Sequence, residues 1–183
     1  PNDLGILSAP NKIIYTGNLS YQQFTSTKNF IMYRYSLVPR LQYLYQPYAY
    51  SKFDITASGF WIFKNYWDVT LKTNVITGWE HNYFELRTDG RYISYPTNYS
   101  FGVDGSSDSR KKLFFMYGIT YARAPEYDNT YTNLDIGFRY RFNNQFSLEL
   151  RTTTKYENNQ LGYAFKRETN GEPIVGFRDN RDF

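Results

Sequence analysis

Between Asn133 and Glu157 large apolar and charged side chains alternate almost without interruption, on either side of a Phe142-Asn143-Asn144-Gln145-Phe146 turn. Leu134, Ile136, Phe138, Tyr140 and Phe142 share one register, which Phe146, Leu148, Leu150 and Tyr156 continue. Asn133, Asp135, Arg139 and Arg141, then Ser147, Glu149, Arg151, Lys155 and Glu157, take the other. Successive strand side chains point to opposite faces, so the pattern predicts a hairpin with one apolar and one charged side. A soluble sheet packs the apolar face of such a hairpin on a second layer. An outer-membrane barrel turns it to lipid and lines its interior with the polar one.

The same period of two predicts about eight strands along the chain. The first spans Lys12 to Phe24, the second Phe30 to Gln46, the third Phe53 to Phe63 and the fourth Tyr66 to Trp79. The fifth covers Asn98 to Gly105 and the sixth Lys112 to Ala122; the 133–157 hairpin supplies the last pair. Pro39 lies inside the second strand and removes a ladder donor, which predicts an edge strand or a bulge there. Connections alternate between short (25–29, 64–65, 106–111, 143–145) and longer or more variable (47–52, 80–97, 124–130 and everything after 158). Short periplasmic turns opposite long extracellular loops are a barrel trait, and a sandwich has no reason to obey it. A small barrel must also pair its interior charges, and Asp135, Arg139, Arg141, Glu149 and Arg151 interleave both signs.

Composition strengthens this reading. With 20 Tyr and 15 Phe among 183 residues the chain is rich in strand formers and in the residue types of membrane interfaces. Mean hydropathy is −0.64, and no apolar run approaches the roughly 20 residues of a transmembrane helix. An alternating barrel strand is compatible with that low average. The absence of cysteine excludes disulfide frameworks and thiolate metal sites. The net charge of +4 comes from 21 basic and 17 acidic residues dispersed along the chain, unlike the clustered Lys and Arg of a nucleic-acid surface. The chain starts at Pro1 with no initiator Met, as expected for a mature form or an excised piece.

Candidate chemistry is sparse. The one histidine, His81, sits near Glu80 and Glu85 on the longest internal loop, too few ligands for the usual zinc sites and with no motif marking a partner serine. No catalytic residue, metal site or cofactor is expected. In the same loop Trp79, Tyr83, Arg87, Tyr92 and Tyr95 are candidates for binding a glycan by stacking and hydrogen bonding. The competing reading makes its aromatics part of an interfacial girdle, which the pattern favours.

Phe63-Lys64-Asn65-Tyr66-Trp67, then Glu85-Leu86-Arg87 with Gly90-Arg91-Tyr92, then Phe101-Gly102-Val103 followed by Ser107-Asp108-Ser109-Arg110-Lys111, together resemble a Bacteroidota family of unknown function. Its members join an N-terminal domain like carbohydrate-binding module family 9 to a C-terminal outer-membrane barrel. The resemblance runs from about Phe53 to the end, including Phe177-Arg178-Asp179-Asn180-Arg181-Asp182. It implies a barrel that continues past that stretch, and it carries over no functional residue.

The sequence therefore predicts an all-β protein, an antiparallel up-and-down transmembrane β-barrel of about eight strands or a piece of a larger one, forming one domain over 1–183. The expected role is a structural or transport-accessory component of the cell outer membrane, without enzymatic activity. Its expected partners are outer-membrane lipid, other outer-membrane proteins in a complex and a glycan, with no nucleic acid. A carbohydrate-binding all-β module acting through aromatic loops is the alternative.

Overall fold

Long two-faced strands need neighbours on both edges, and the computed structural model supplies them in a ten-stranded antiparallel sheet. It describes residues 11–84, 91–169, 172–177 and 181–182, with side chains for 11–84 and 91–160. The sheet contains β1 (Lys12–Thr16), β2 (Leu19–Gln23), β3 (Phe30–Leu44), β4 (Ala49–Phe63) and β5 (Asp68–Thr77). After a separate hairpin, β6 (Glu80–Asn82) and β7 (Ile93–Tyr95), it continues through β8 (Asn98–Ser106), β9 (Leu113–Ala124), β10 (Asn129–Arg141) and β11 (Ser147–Asn158). A second hairpin, β12 (Leu161–Thr169) and β13 (Glu172–Phe177), precedes β14 (Arg181–Asp182), which returns to the sheet beside β11. From β3 to β11, apart from the β6–β7 hairpin, the chain runs up and down with each strand beside the next, while β1 and β2 lie in line along β3. A single 3-10 turn, Pro125–Tyr127, joins β9 to β10.

The register fixes two unlike faces. Tyr35, Leu37 and Leu41 of β3 share a face with Ile55 and Trp61 of β4, Leu71 and Val75 of β5, and Phe101 and Val103 of β8. Ile119 of β9, Leu134, Ile136 and Phe138 of β10, and Leu148 and Leu150 of β11 extend it. Among the described residues no second layer covers this face, and Leu150 is 63% exposed. The aromatic residues on it concentrate towards the strand ends. Tyr35 packs against Trp61, Phe30 against Phe63, Phe115 against Phe138 and Phe142 against Phe146 at the short-turn end. Tyr43 packs against Tyr15, Tyr48 and Tyr50 at the other. Between these belts the strand centres carry mainly Leu, Ile and Val.

On the opposite face the enclosed groups are polar. Asp54 is 2% exposed, and Gln42 and Ser51 are also buried, whereas the buried hydrophobics are Leu44, Ile93 and Ala124. The Arg40 Nε donates to Asp54 Oδ1 at 2.9 Å, and Asn74 Nδ2 to Thr56 Oγ1 at 2.8 Å and Asp54 Oδ2 at 3.3 Å. Further along, Asp135 accepts from Thr153 Oγ1 at 2.6 Å, Asn133 Nδ2 at 2.9 Å and Arg151 Nε at 3.2 Å. A polar trough of about 620 Å³ crosses the sheet between Thr16, Arg40, Asp54, Lys72, Asp104 and Thr120.

Four expectations need correction. The sheet does not close into a barrel: β14 pairs with the outer edge of β11 at Tyr156 and Glu157, occupying part of the edge through which β11 would have to meet β1. The first expected strand is two, β1 and β2, both lying against β3. Pro39 marks neither an edge nor a bulge. Its carbonyl accepts from Gly17 N at 3.0 Å, so its missing donor faces the Gly17-Asn18 gap, and the register is the same on both sides of that gap. The connections at 80–97 and after 158 are not plain loops, because each folds a two-stranded hairpin of its own.

The alternation of connections holds only in part: 45–48 and 125–128, expected among the longer or more variable connections, are four residues each, no longer than the turns at the opposite end, and the added length lies in the two hairpin excursions. At one end lie the short turns 24–29, 64–67, 107–112 and 142–146; the hairpin excursions emerge at the other. β3, β4, β5, β8, β9, β10 and β11 are nine to fifteen residues long, against a common strand length of about five or six.

Candidate functional site

The β6–β7 hairpin begins where Gly78, at a φ of 72°, lets the chain leave β5 in the left-handed region that glycine enters freely. Glu80 pairs with Tyr95, His81 with Ser94 and Asn82 with Ile93. Polar contacts fasten it to the sheet. Gln42 Nε2 donates to Ser51 Oγ at 3.0 Å, which donates to the His81 carbonyl at 3.1 Å; Lys52 Nζ lies 3.4 Å from Glu80 Oε1. Ser51 sits where the β3–β4 register shifts, the irregularity that aims it at the hairpin.

The predicted binding residues do not act as one group. Tyr83 and Tyr92 belong to an aromatic cluster, their ring centres 4.9 Å apart, with His81 stacked on Tyr92 at 4.3 Å and Tyr50 edge-on to His81 at 5.8 Å. The Tyr83 hydroxyl donates to the Tyr50 carbonyl at 3.1 Å, and burial pushes its pKa above the usual phenol value. These contacts hold the hairpin on the rim. Trp79 points elsewhere, edge-on to Tyr127 at 6.5 Å, and Tyr95 lines a cavity on the polar side of the sheet. Arg87 lies outside the described residues, as does Glu85. Among the described residues no three His, Asp or Glu side chains gather as metal ligands.

The Tyr95 cavity has a volume of about 420 Å³. The hairpin contributes Glu80, Asn82 and Tyr95; Asn98, Arg123 and Asn129 come from the ends of β8, β9 and β10. Tyr127 of the 3-10 turn, Glu157 at the end of β11 and Gln160 also line it, with Pro96, Ala122 and Ala124 as its apolar part. Arg123 Nη2 is 3.2 Å from Asp128 Oδ1, so its charge is already engaged beside the cavity. Sequence reasoning missed most of these residues because separate segments supply them, with no shared motif. The one local hint is the cluster of Pro125, Tyr127 and Asp128 after the sixth predicted strand.

At the short-turn end the geometry is that of a clamp. Asp108, its side chain 7% exposed, accepts from Arg110 Nε and Nη2 at 2.8 Å each and from the Arg110 backbone at 3.0 Å. The paired guanidinium holds the Asp108 carboxyl at about 2, well below the usual carboxylate range, and the same pair raises Arg110.

The chain belongs to a family described as a domain of unknown function (DUF5916), whose model matches residues 1–183. No curated protein and no solved structure matches it.

Proposed function

We propose that this member of the DUF5916 family is a stretch of outer-membrane β-barrel wall that serves as a structural or transport-accessory part of a larger envelope assembly, without catalytic activity. One observation carries the reading: burial is inverted. The broad aliphatic face, with Leu19 71% exposed, lies open while the enclosed side chains include Asp54, Gln42 and Ser51. In water such a sheet would expose an apolar area far beyond what monomeric proteins tolerate. Against acyl chains the same face is solvated, and the paired charges lie in an aqueous lumen. The aromatic belts fall where barrel girdles meet the headgroups, and strands of nine to fifteen residues exceed or match the roughly 9–11 that span a bilayer.

The open edges fit a wall that other strands complete, since no edge survives in lipid. A Bacteroidota source and an adjoining domain like carbohydrate-binding module family 9, both implied by the resemblance, belong to the same proposal. Cell fractionation tests it. The protein should partition with outer membranes, require detergent for extraction and change gel mobility on heating. Release into the soluble fraction without detergent would overturn the reading.

A further inference from the structure

We infer that the cavity between the β6–β7 hairpin and the ends of β9, β10 and β11 is a binding site for an uncharged saccharide. The inference does not rest on the membrane reading, because the lining residues form the site on either account. At about 420 Å³ the space lies within the usual range for small-molecule sites. Glu80 and Glu157 offer carboxylate oxygens, which accept hydrogen bonds and donate none. Asn98 and Gln160 offer carboxamides, which both accept and donate, while Asn82 Oδ1 already accepts from the Phe84 backbone at 3.0 Å and Asn129 Nδ2 already donates to the Asn158 carbonyl at 2.8 Å, which holds those two side chains in place at the lining. Tyr95 and Tyr127 add aromatic surface for the apolar faces of a sugar ring, and Trp79 backs Tyr127.

Charge disfavours an acidic ligand. Two carboxylates face one guanidinium, and Asp128 already holds that guanidinium at 3.2 Å. A phosphate or uronic acid would meet a net negative lining, while Arg123 Nε, buried and without a hydrogen-bond partner, keeps a donor that a sugar hydroxyl can satisfy. The Glu80 carboxylate is held by Lys52 at 3.4 Å, which fixes its position at the mouth of the hairpin.

The test uses the full-length protein purified with its envelope partners, titrated calorimetrically with maltose, cellobiose and chitobiose in turn. Saturable binding of at least one is expected. Glu157→Gln, which keeps size and removes charge, should weaken it about tenfold, as should Tyr127→Ala. Lys28→Ala, at the far end of the sheet, should leave it unchanged. Tyr127→Ala counts only if its strand signal in circular dichroism matches the wild type; Glu157→Gln stands alone otherwise. Failure of all three sugars to bind overturns the inference, as does ethanolamine or inorganic phosphate binding where they do not, or undiminished affinity in Glu157→Gln. Binding by a protein that fractionates as soluble would uphold this site while removing the membrane proposal.

Discussion

The guanidinium carbon of Arg110 lies 3.2 Å from the centre of the Tyr66 ring, so the β8–β9 turn stacks on the β4–β5 turn while Asp108 grips the same guanidinium from within its own turn. Tyr66 holds a positive φ of 64°, a conformation that bulky residues seldom adopt. The cation–π contact offsets part of that strain. Arg110→Lys keeps the charge and loses the planar fork, so it should lower the thermal midpoint in detergent, and Arg110→Ala should lower it further. Equal midpoints for all three proteins would remove the clamp.

Acid should loosen the same turn. The Asp108 carboxyl sits near 2 in the folded protein against 3.8 for the free side chain. A depressed carboxyl contributes stability that is complete above the unfolded value and is lost as pH falls through the folded one. The contribution is therefore full above pH 4 and fades towards pH 2. Asp108→Asn should flatten this part of the stability profile, measured by denaturant midpoints across pH.

Gly105 has no room for a side chain. A β-carbon there would stand 2.2 Å from the Asp68 carbonyl and 2.6 Å from the Tyr117 hydroxyl, which donates to that carbonyl at 3.3 Å. Gly105→Ala should cost about 1–3 kcal/mol by overpacking. Chemical denaturation against wild type measures it, and adding Tyr117→Phe to Gly105→Ala should not restore the loss, because the shorter clash is with the Asp68 carbonyl.

Arg40 and Asp54 form a pair with only one enclosed partner, at side-chain exposures of 42% and 3%. Asp54→Ala should cost about 1–3 kcal/mol, less than a fully buried pair because water reaches the remaining guanidinium. Arg40→Gln combined with Asp54→Asn should recover part of the loss, a coupling that a double-mutant cycle reads directly.

The two faces of the last long hairpin give the sharpest contrast for the membrane proposal. Phe138→Arg sets a charge on the apolar face and should cost about 2–4 kcal/mol in lipid or block insertion. Thr153→Arg falls on the polar face beside Asp135, where a second guanidinium meets a carboxylate. It should be well tolerated. Comparable insertion yields for the two variants would overturn the assignment of faces.

Sequence alone determined the seven long strands of the main sheet, their two registers and the short turns at one end. Each is local: a period of two sets the face, and Asn, Gly and Ser clusters set the turns. Only tertiary structure decided that Tyr35 and Trp61, or Phe115 and Phe138, align into belts, because alignment depends on cross-strand register. It placed Pro39 within an internal strand, since a missing donor costs little where the opposing strand is already broken at Gly17-Asn18. It separated Tyr83 and Tyr92 from Tyr95, for neighbours in sequence on a twisted hairpin face different sides. The open edges and the cavity are likewise products of distant segments meeting, which no window of the chain contains.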